Sequence, residues 1–259
     1  MSTSMHPTSI LSLDKTDKKV DQTSYKGLID SLLYVTTFRS YIMLSVCFCA
    51  WFQYDPRESH LTTIKCIFRY LKGTTNLGLC YKKSHYYILK GCNDVDFAQD
   101  RIERKNTIGG CHFIGANLVS WSSKRQGTIT LSMAEEKYIS VQQLEDYDII
   151  KGNIPLLCDN TTAIILSKNP ILDSHAKHIK IKHHFIKDYV QKGILDLKLT
   201  STENLLADNF TKPFPQDKLI HVKNLLEFFS TYGMNYEEIF VLIAKMTIIH
   251  TIIDVASIH

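Results

Sequence analysis

The first part of the chain holds three stretches in which apolar residues recur at helical spacing. Residues 25–36 and 58–72 each carry one apolar face, and residues 42–52 are apolar nearly all round. Side chains three and four positions apart lie on one side of a helix, so the pattern predicts three helices that pack together. In the third helix the predicted buried face comprises Leu61, Ile64, Ile67, Phe68 and Leu71, and Gly73 is its predicted end.

From residue 77 onward the pattern becomes that of strands. Residues 86–94, 107–115 and 118–123 are predicted to form an antiparallel meander with turns at 100–106 and 115–117. Beyond it the pattern predicts helices at 134–147, 161–167, 203–212 and 217–229, a helical or mixed segment at 175–191, and strands at 154–158 and 194–199. A meander followed by alternating helices and strands favours an α/β fold with a mixed sheet flanked by helices.

Composition excludes several classes of protein. With 259 residues, 44% hydrophobic and 22% charged, the chain can bury a core in one large domain or two small ones. The net charge of +4 is too small to imply nucleic-acid binding by itself. The seven cysteines include no C-x-x-C pair, which argues against a zinc site or a disulfide framework. We therefore expect reduced thiols and an intracellular location, either cytoplasmic or nuclear.

Residues 239–258 form the one stretch apolar enough to suggest a membrane span. Lys245, His250 and Asp254 interrupt it. A charge near the centre of a span costs about 2.5–3.5 kcal/mol, so we expect no membrane partner. Residues 1–20 are polar, lack the apolar core of a signal peptide and are expected to form a flexible lead-in.

The candidate chemistry lies in short acidic segments. Asp94 closes the first predicted strand of the meander, Asp159 follows the strand at 154–158, and Asp208 lies near the start of a late helix. Hydrolysis of a phosphodiester can use two Mg²⁺ ions about 3.5–4 Å apart, and Mg²⁺ prefers carboxylate oxygens. Taken singly, each aspartate also fits a turn or a helix cap.

Four segments in this order resemble the ribonuclease H domain that closes the Pol polyprotein of copia-type LTR retrotransposons. They are GCNDVD at 91–96, LSMAEEKYI at 131–139, LCDN at 157–160 and LADNFTK at 206–212. The resemblance implies a ribonuclease H-like fold and Mg²⁺-dependent hydrolysis of RNA in RNA–DNA hybrids, with no small-molecule substrate. It implies that Asp94 bridges both metal ions, Asp159 holds the first and Asp208 the second. Asp96 is an accessory candidate, weaker because it is predicted to lie past the strand end.

The family carries a catalytic glutamate directly before Tyr-Ile, and here Lys137 precedes Tyr138. Glu135 and Glu136 do not substitute, because one and two steps along a helix rotate a side chain by about 100° and 200°. A lysine ammonium has no acceptor for a metal, and its charge competes with Mg²⁺. We therefore expect an impaired catalyst. In the alternative, Lys137 swings into solvent, water fills the gap and weak activity remains.

The same comparison suggests nucleic-acid contacts. Within 120–126, serine hydroxyls and the two cations Lys124 and Arg125, beside Trp121, suit phosphate and sugar contacts. In the alternative, Trp121 belongs to the core and the cations form a solvated turn. The run at 175–187 is the most basic in the chain and could follow a phosphate backbone, whereas its histidines lack the cysteine partners typical of zinc sites. The candidate contact residues are Ser122, Ser123, Lys124, Lys177, His178, Lys180 and Lys182.

We predict four parts: a lead-in at 1–20, a helical connection segment at 21–76, a ribonuclease H-like domain at 77–229 and a tail at 230–259. The tail resembles the start of a reverse transcriptase domain, but the sequence lacks the paired aspartates of a polymerase, so polymerase activity is not expected. The helix after Tyr138 is about a dozen residues shorter than the family's. These features favour a degenerate Pol fragment that at most binds an RNA–DNA hybrid or other nucleic acid. The alternatives are an active ribonuclease H, a non-enzymatic interaction domain and an untranslated pseudogene product.

Overall fold

A computed structural model describes residues 16–75, 77–79, 81–82, 88–96, 107–125, 153–159, 161, 164, 189–201, 204–212, 228–230 and 239–240. The chain divides into two compact units, one of residues 1–83 with 212–259 and the other of residues 84–211. The four-part division of the sequence stays a prediction. Within the described residues, no helix has the length and apolar character needed to cross a membrane.

The described part of the first unit contains three α-helices, as the periodicity predicts. They are α1 (Gln22–Thr36), α2 (Met43–Ala50), which follows a 3-10 turn at Ser40–Ile42, and α3 (Glu58–Gly73). Helix α1 begins where the Asp21 carboxylate accepts the Ser24 backbone N–H at 2.7 Å. At the start of α3, the Asp17 carboxylate accepts the Ser59 backbone N–H at 2.8 Å. Both contacts satisfy backbone donors that have no partner inside the helix.

The apolar faces of the helices meet in one core. Ile64, Ile67 and Leu71 of α3 are buried as predicted, while Leu61 is only half-buried. The phenol of Tyr25 donates a hydrogen bond of 2.8 Å to the carbonyl of Cys49, so this buried tyrosine keeps a polar partner. The core consists of Tyr25, Ile29, Leu32, Val35, Tyr41, Ile42, Val46, Cys49, Ile64, Ile67, Phe68, Tyr70 and Leu71.

Two short strand pairs complete the described part of this unit. Strand β1 (Leu77–Leu79) pairs antiparallel with β8 (Phe228–Ser230), and β2 (Tyr81–Lys82) pairs antiparallel with β9 (Ile239–Phe240). The helix predicted over 217–229 is therefore wrong at its end. Aromatic residues such as Phe228 favour strands, and pairing with a distant segment outweighs the local helical pattern.

The second unit is built on a five-stranded mixed sheet. Its strands are β3 (Leu89–Asp96), β4 (Thr107–Ile114), β5 (Asn117–Arg125), β6 (Ile154–Cys158) and β7 (Leu195–Leu199). The order across the sheet is β5-β4-β3-β6-β7, in which β3, β4 and β5 form the antiparallel meander and β6 and β7 run parallel to β3. This arrangement confirms the predicted α/β, ribonuclease H-like fold.

Local chemistry explains the sheet's turn and part of its core. Gly115, between β4 and β5, has φ of 63°, a left-handed conformation that glycine adopts without steric cost. Leu156 of β6 and Leu195 and Leu197 of β7 are buried together. The predicted helices at 134–147 and over most of 161–167 and 175–191 lie outside the described residues, although Thr161 and Ile164 are helical.

The helix predicted over 203–212 is a short 3-10 helix, Leu206–Phe210. Its backbone bonds join residues three apart, including Asp208 N–H to the Leu205 carbonyl at 3.1 Å and Thr211 N–H to the Asp208 carbonyl at 3.2 Å. Such tight turns are common in short connecting pieces, and a sequence pattern does not distinguish them from the first turns of an α-helix.

Candidate functional site

Asp94 lies in β3, two residues before the strand ends. Strand β3 runs to Asp96, so the expectation that Asp96 lies past the strand end is wrong. Asp94 is opposite Gly109 of β4, which is opposite Ser123 of β5. Directly opposed residues share one face of a sheet, so Asp94 and Ser123 point to the same side. Both are buried, at 5% and 7% exposed.

Gly109 allows the Leu206–Phe210 helix to lie against this face. A Cβ atom at Gly109 would stand 2.6 Å from the Ala207 carbonyl oxygen, 2.8 Å from Thr211 Cγ2 and 2.9 Å from Phe210 Cβ. A side chain of any size would therefore push the helix away. The close approach brings Asp208, which is 2% exposed, to the same face as Asp94.

Thr211 connects the two acidic segments directly. Its hydroxyl donates a short hydrogen bond to Asp94 Oδ2 and lies 3.1 Å from the backbone carbonyl oxygen of Asp208. Thr211 is fully buried. A hydrogen bond to a carboxylate is stronger than one between neutral groups, so this contact holds the Asp94 side chain in one orientation.

Asp159 directly follows β6, the strand next to β3. Strands β3 and β6 are parallel, with Cys92 paired to Leu157, and Asp94 and Asp159 each come two positions after that pair. The two aspartates therefore lie toward the same end of the sheet. Asp159 is half-buried.

The donor chemistry of these residues suits a hard cation, because all three aspartates offer carboxylate oxygens. Over the described ranges, no three His, Cys, Asp or Glu side chains are grouped closely enough to hold a metal ion. Lys137 and its segment lie outside the described residues. The metal-ligand roles of Asp94, Asp159 and Asp208 therefore stay predictions.

The predicted nucleic-acid contacts on β5 divide between the two faces of the sheet. Successive residues of a strand alternate, so Ser123 shares the face of Asp94, whereas Ser122 and Lys124 point to the other side. Trp121 is half-buried. Its exposure therefore lies between that expected of a core residue and that expected of a nucleic-acid contact. The other four predicted contacts, Lys177, His178, Lys180 and Lys182, lie outside the described residues.

Arg125 is aligned with Thr107 and Asp96, so of the two cations in the predicted contact segment it is the one on the Asp94 side. Sequence reasoning missed two other residues of this face, Gly109 and Thr211. Gly109 carried a signal, because a glycine within a strand pattern marks a close backbone approach. Thr211 lay inside the LADNFTK segment, but no sequence pattern singled out its hydroxyl, so only its contact with Asp94 reveals it.

Comparisons with known proteins place the chain. No family model matches it. It is 36% identical over 225 residues to the retrovirus-related Pol polyprotein from transposon RE1 of Arabidopsis thaliana, covering 82% of this chain and 15% of that protein. It is 32% identical over 214 residues to the corresponding polyprotein from transposon TNT 1-94 of Nicotiana tabacum, covering 78% of this chain and 16% of that protein. The chain thus spans about 15% of the length of RE1 Pol.

Among solved structures, the chain is similar to LC11-RNase H1, a ribonuclease H1 isolated from compost by a metagenomic approach. The TM-score is 0.41 at 14% identity, over 48% of this chain and 93% of that one. A likeness at this level adds nothing to what the strand order itself shows. The mixed sheet defines a ribonuclease H-like domain. On sequence, the chain belongs to the Pol polyproteins of copia-type LTR retrotransposons.

Proposed function

We propose that this chain is a degenerate fragment of a copia-type Pol polyprotein whose ribonuclease H-like domain is catalytically impaired and at most binds nucleic acid. The ancestral activity is Mg²⁺-dependent hydrolysis of RNA in RNA–DNA hybrids. The observation that carries the impairment is Lys137, which stands directly before Tyr138 where the family carries a catalytic glutamate.

The placement of the aspartates supports an inherited nuclease site. Asp94 and Asp208 are buried on one face of the sheet, and Asp159 directly follows the strand next to β3. Proteins bury carboxylates rarely unless they are paired, hydrogen-bonded or bound to a metal. In the ancestral activity these three carboxylates would hold Mg²⁺, but in the described structure they are not grouped closely enough to hold an ion.

The substitution at Lys137 has a large expected effect on rate. Removing one preorganised stabilising group from an active site costs about 10²–10³ in rate. A cation in place of an anionic ligand costs more, because it repels Mg²⁺ as well as failing to bind it. The helix predicted after Tyr138, about a dozen residues shorter than the family's, is a second reason for impairment, since a shorter helix would cover less of the sheet.

Binding of nucleic acid does not need the missing glutamate. Ser123 and Arg125 lie on the face of Asp94 and could contact sugar and phosphate. The basic run at 175–187 could add further phosphate contacts. Such contacts position a duplex without reading its sequence, so an RNA–DNA hybrid or another nucleic acid is the expected partner, and binding weakens as salt rises.

A hybrid-cleavage assay with Mg²⁺ tests the proposal. We expect no detectable cleavage by the unmodified chain. Lys137→Glu should restore cleavage, because the substitution supplies the fourth carboxylate. Lys192→Glu is the matched control: it makes the same change of charge at an exposed residue before β7 and should restore nothing. Asp94→Asn, added to Lys137→Glu, should abolish the recovered activity.

Three other outcomes of the cleavage assay would contradict or change the proposal. Full activity of the unmodified chain would overturn the impairment and favour the active ribonuclease H. Cleavage restored equally by Lys192→Glu would show that total charge, rather than a ligand at position 137, limits the reaction. Inactivity of every variant, with the hybrid still bound, would identify the shortened helix as the defect.

A further inference from the structure

One hydroxyl lies between the first and last acidic segments of the sheet unit. The hydroxyl of Thr211 touches the Asp94 carboxylate, 117 positions away in the chain, and the backbone carbonyl of Asp208. All three residues are buried, at 0%, 5% and 2% exposed. Thr211 thus ties the β3 aspartate to the helix that carries Asp208.

A threonine hydroxyl has a single proton, so it can donate fully to only one of these two oxygens. The carboxylate is the stronger acceptor, because hydrogen bonds to an ionised group are roughly twice as strong as neutral ones. The proton therefore belongs to Asp94, and the Asp208 carbonyl holds the hydroxyl oxygen in a contact of 3.1 Å.

The direction of the hydroxyl is set by the other branch of the side chain. Thr211 Cγ2 lies 2.8 Å from the position that a Cβ at Gly109 would take, so the methyl sits over the bare backbone of β4. A β-branched residue has few χ1 choices, and packing of the methyl selects one of them. The selected rotamer points the hydroxyl at Asp94.

We infer that Thr211 is a positioning residue: its hydroxyl fixes the Asp94 carboxylate relative to Asp208, and its methyl group on Gly109 fixes the hydroxyl. The inference rests on the proposed function in one respect: the two carboxylates are taken to hold a divalent cation. The hydrogen bond itself does not depend on that purpose.

Two substitutions separate the hydroxyl from the rest of the side chain. Thr211→Val keeps the branched shape and the methyl over Gly109 but removes the donor. Thr211→Ser keeps the donor and removes the methyl. A residue that only fills space would tolerate valine better than serine, whereas a positioning residue shows the reverse order at the acidic site.

The first measurement is a double-mutant cycle by urea unfolding, with Thr211→Val, Asp94→Ala and the two combined. We expect clear non-additivity, because the hydrogen bond is lost in each single variant but can be lost only once in the double variant. The control cycle combines Thr211→Val with Asp196→Ala. Asp196 lies in β7, and its carboxylate is 3.5 Å from the Lys198 ammonium. The effects of these two changes on the free energy of unfolding should be additive.

The second measurement is binding of Mn²⁺, followed by electron paramagnetic resonance in the Lys137→Glu chain. Partners that orient a metal ligand typically contribute about 10–100-fold to affinity. We expect Thr211→Val to weaken Mn²⁺ binding by about tenfold or more, and Thr211→Ser to keep most of the affinity.

The outcomes distinguish the inference from the function on which it rests. Additivity in the Asp94 cycle, or a serine variant that loses as much Mn²⁺ affinity as the valine variant, would overturn the role of Thr211. If Lys137→Glu binds no Mn²⁺ at all, the proposed function fails, and the unfolding cycle alone decides whether Thr211 holds Asp94.

Discussion

Gly109 shows how one missing side chain can organise a site. The glycine lies between Asp94 and Ser123 in the sheet, and its bare backbone accepts the helix that carries Asp208. In a strand, glycine weakens local stability because it adds no packing and has high entropy when unfolded. That cost is offset here by the close approach of Ala207, Phe210 and Thr211.

Substituting alanine for glycine should have opposite effects at two positions. Gly109→Ala should destabilise the protein by about 1–3 kcal/mol, because the added methyl meets backbone and Cβ atoms that cannot move freely. Gly27→Ala, in the open surface of α1, should stabilise it by about 0.5–1 kcal/mol. Urea unfolding of both variants measures the two signs. A neutral Gly109→Ala would contradict the described packing of the helix on β4.

The N-termini of two helices depend on ionised aspartates. Asp17 accepts the Ser59 N–H at the start of α3, and Asp21 accepts the Ser24 N–H at the start of α1. These hydrogen bonds, from the backbone N–H of Ser59 and of Ser24 respectively, lower the pKa of each carboxyl below its usual value. A cap of this kind favours the charged form, which also suits the positive end of a helix dipole.

The lowered pKa values predict a dependence of helix stability on acid. Because the folded pKa lies below the unfolded one, the stabilisation is complete above about pH 4 and is lost as pH falls through the folded pKa. Far-ultraviolet circular dichroism during an acid titration should show part of the helical loss in that range.

Asp21→Ser is the matched control for that titration, because serine caps a helix without titrating. It should keep α1 at neutral pH and flatten its share of the acid dependence. An acid profile unchanged by Asp21→Ser would mean that this cap contributes nothing to the transition.

For the molecule taken together, the distribution of charge matters more than its total. The net charge is only +4, so the proposed binding of a nucleic acid would depend on which cations lie near the acidic face. Strand alternation selects Arg125 rather than Lys124 for that face. The later part of the same unit contributes strand β7 and the Leu206–Phe210 helix, which carries Asp208.

Arg125→Gln should weaken binding of an RNA–DNA hybrid. It should also reduce the slope of log K against log salt concentration by the amount that corresponds to about one phosphate contact. Arg69→Gln, the same change at an exposed position of α3, is the control and should alter neither quantity. Fluorescence anisotropy over a range of salt concentrations provides both values. Equal losses for the two variants would indicate a response to net charge without a defined contact.

Features that depend on neighbours in the chain could be predicted from the residues alone. The buried face of α3 follows from spacing, strand β6 was predicted residue for residue, and the acidic segments revealed the family. Periodicity and motifs depend on neighbouring residues, so they can be recognised without knowledge of the fold. The interpretation of Lys137 as a replaced glutamate also rests on the sequence, through comparison with the family's motif.

Contacts between distant segments needed the folded chain. The pairing of Phe228 with β1, the alignment of Ser123 with Asp94 across β4, and the hydrogen bond from Thr211 to Asp94 join residues that no local pattern connects. The two strand contacts depend on register, and the Thr211 contact depends on the close approach of the short helix to Gly109. The acidic segments could therefore be recognised in the sequence, whereas the contact of Thr211 with Asp94 could not, and the role of the aspartates as a set stays a prediction.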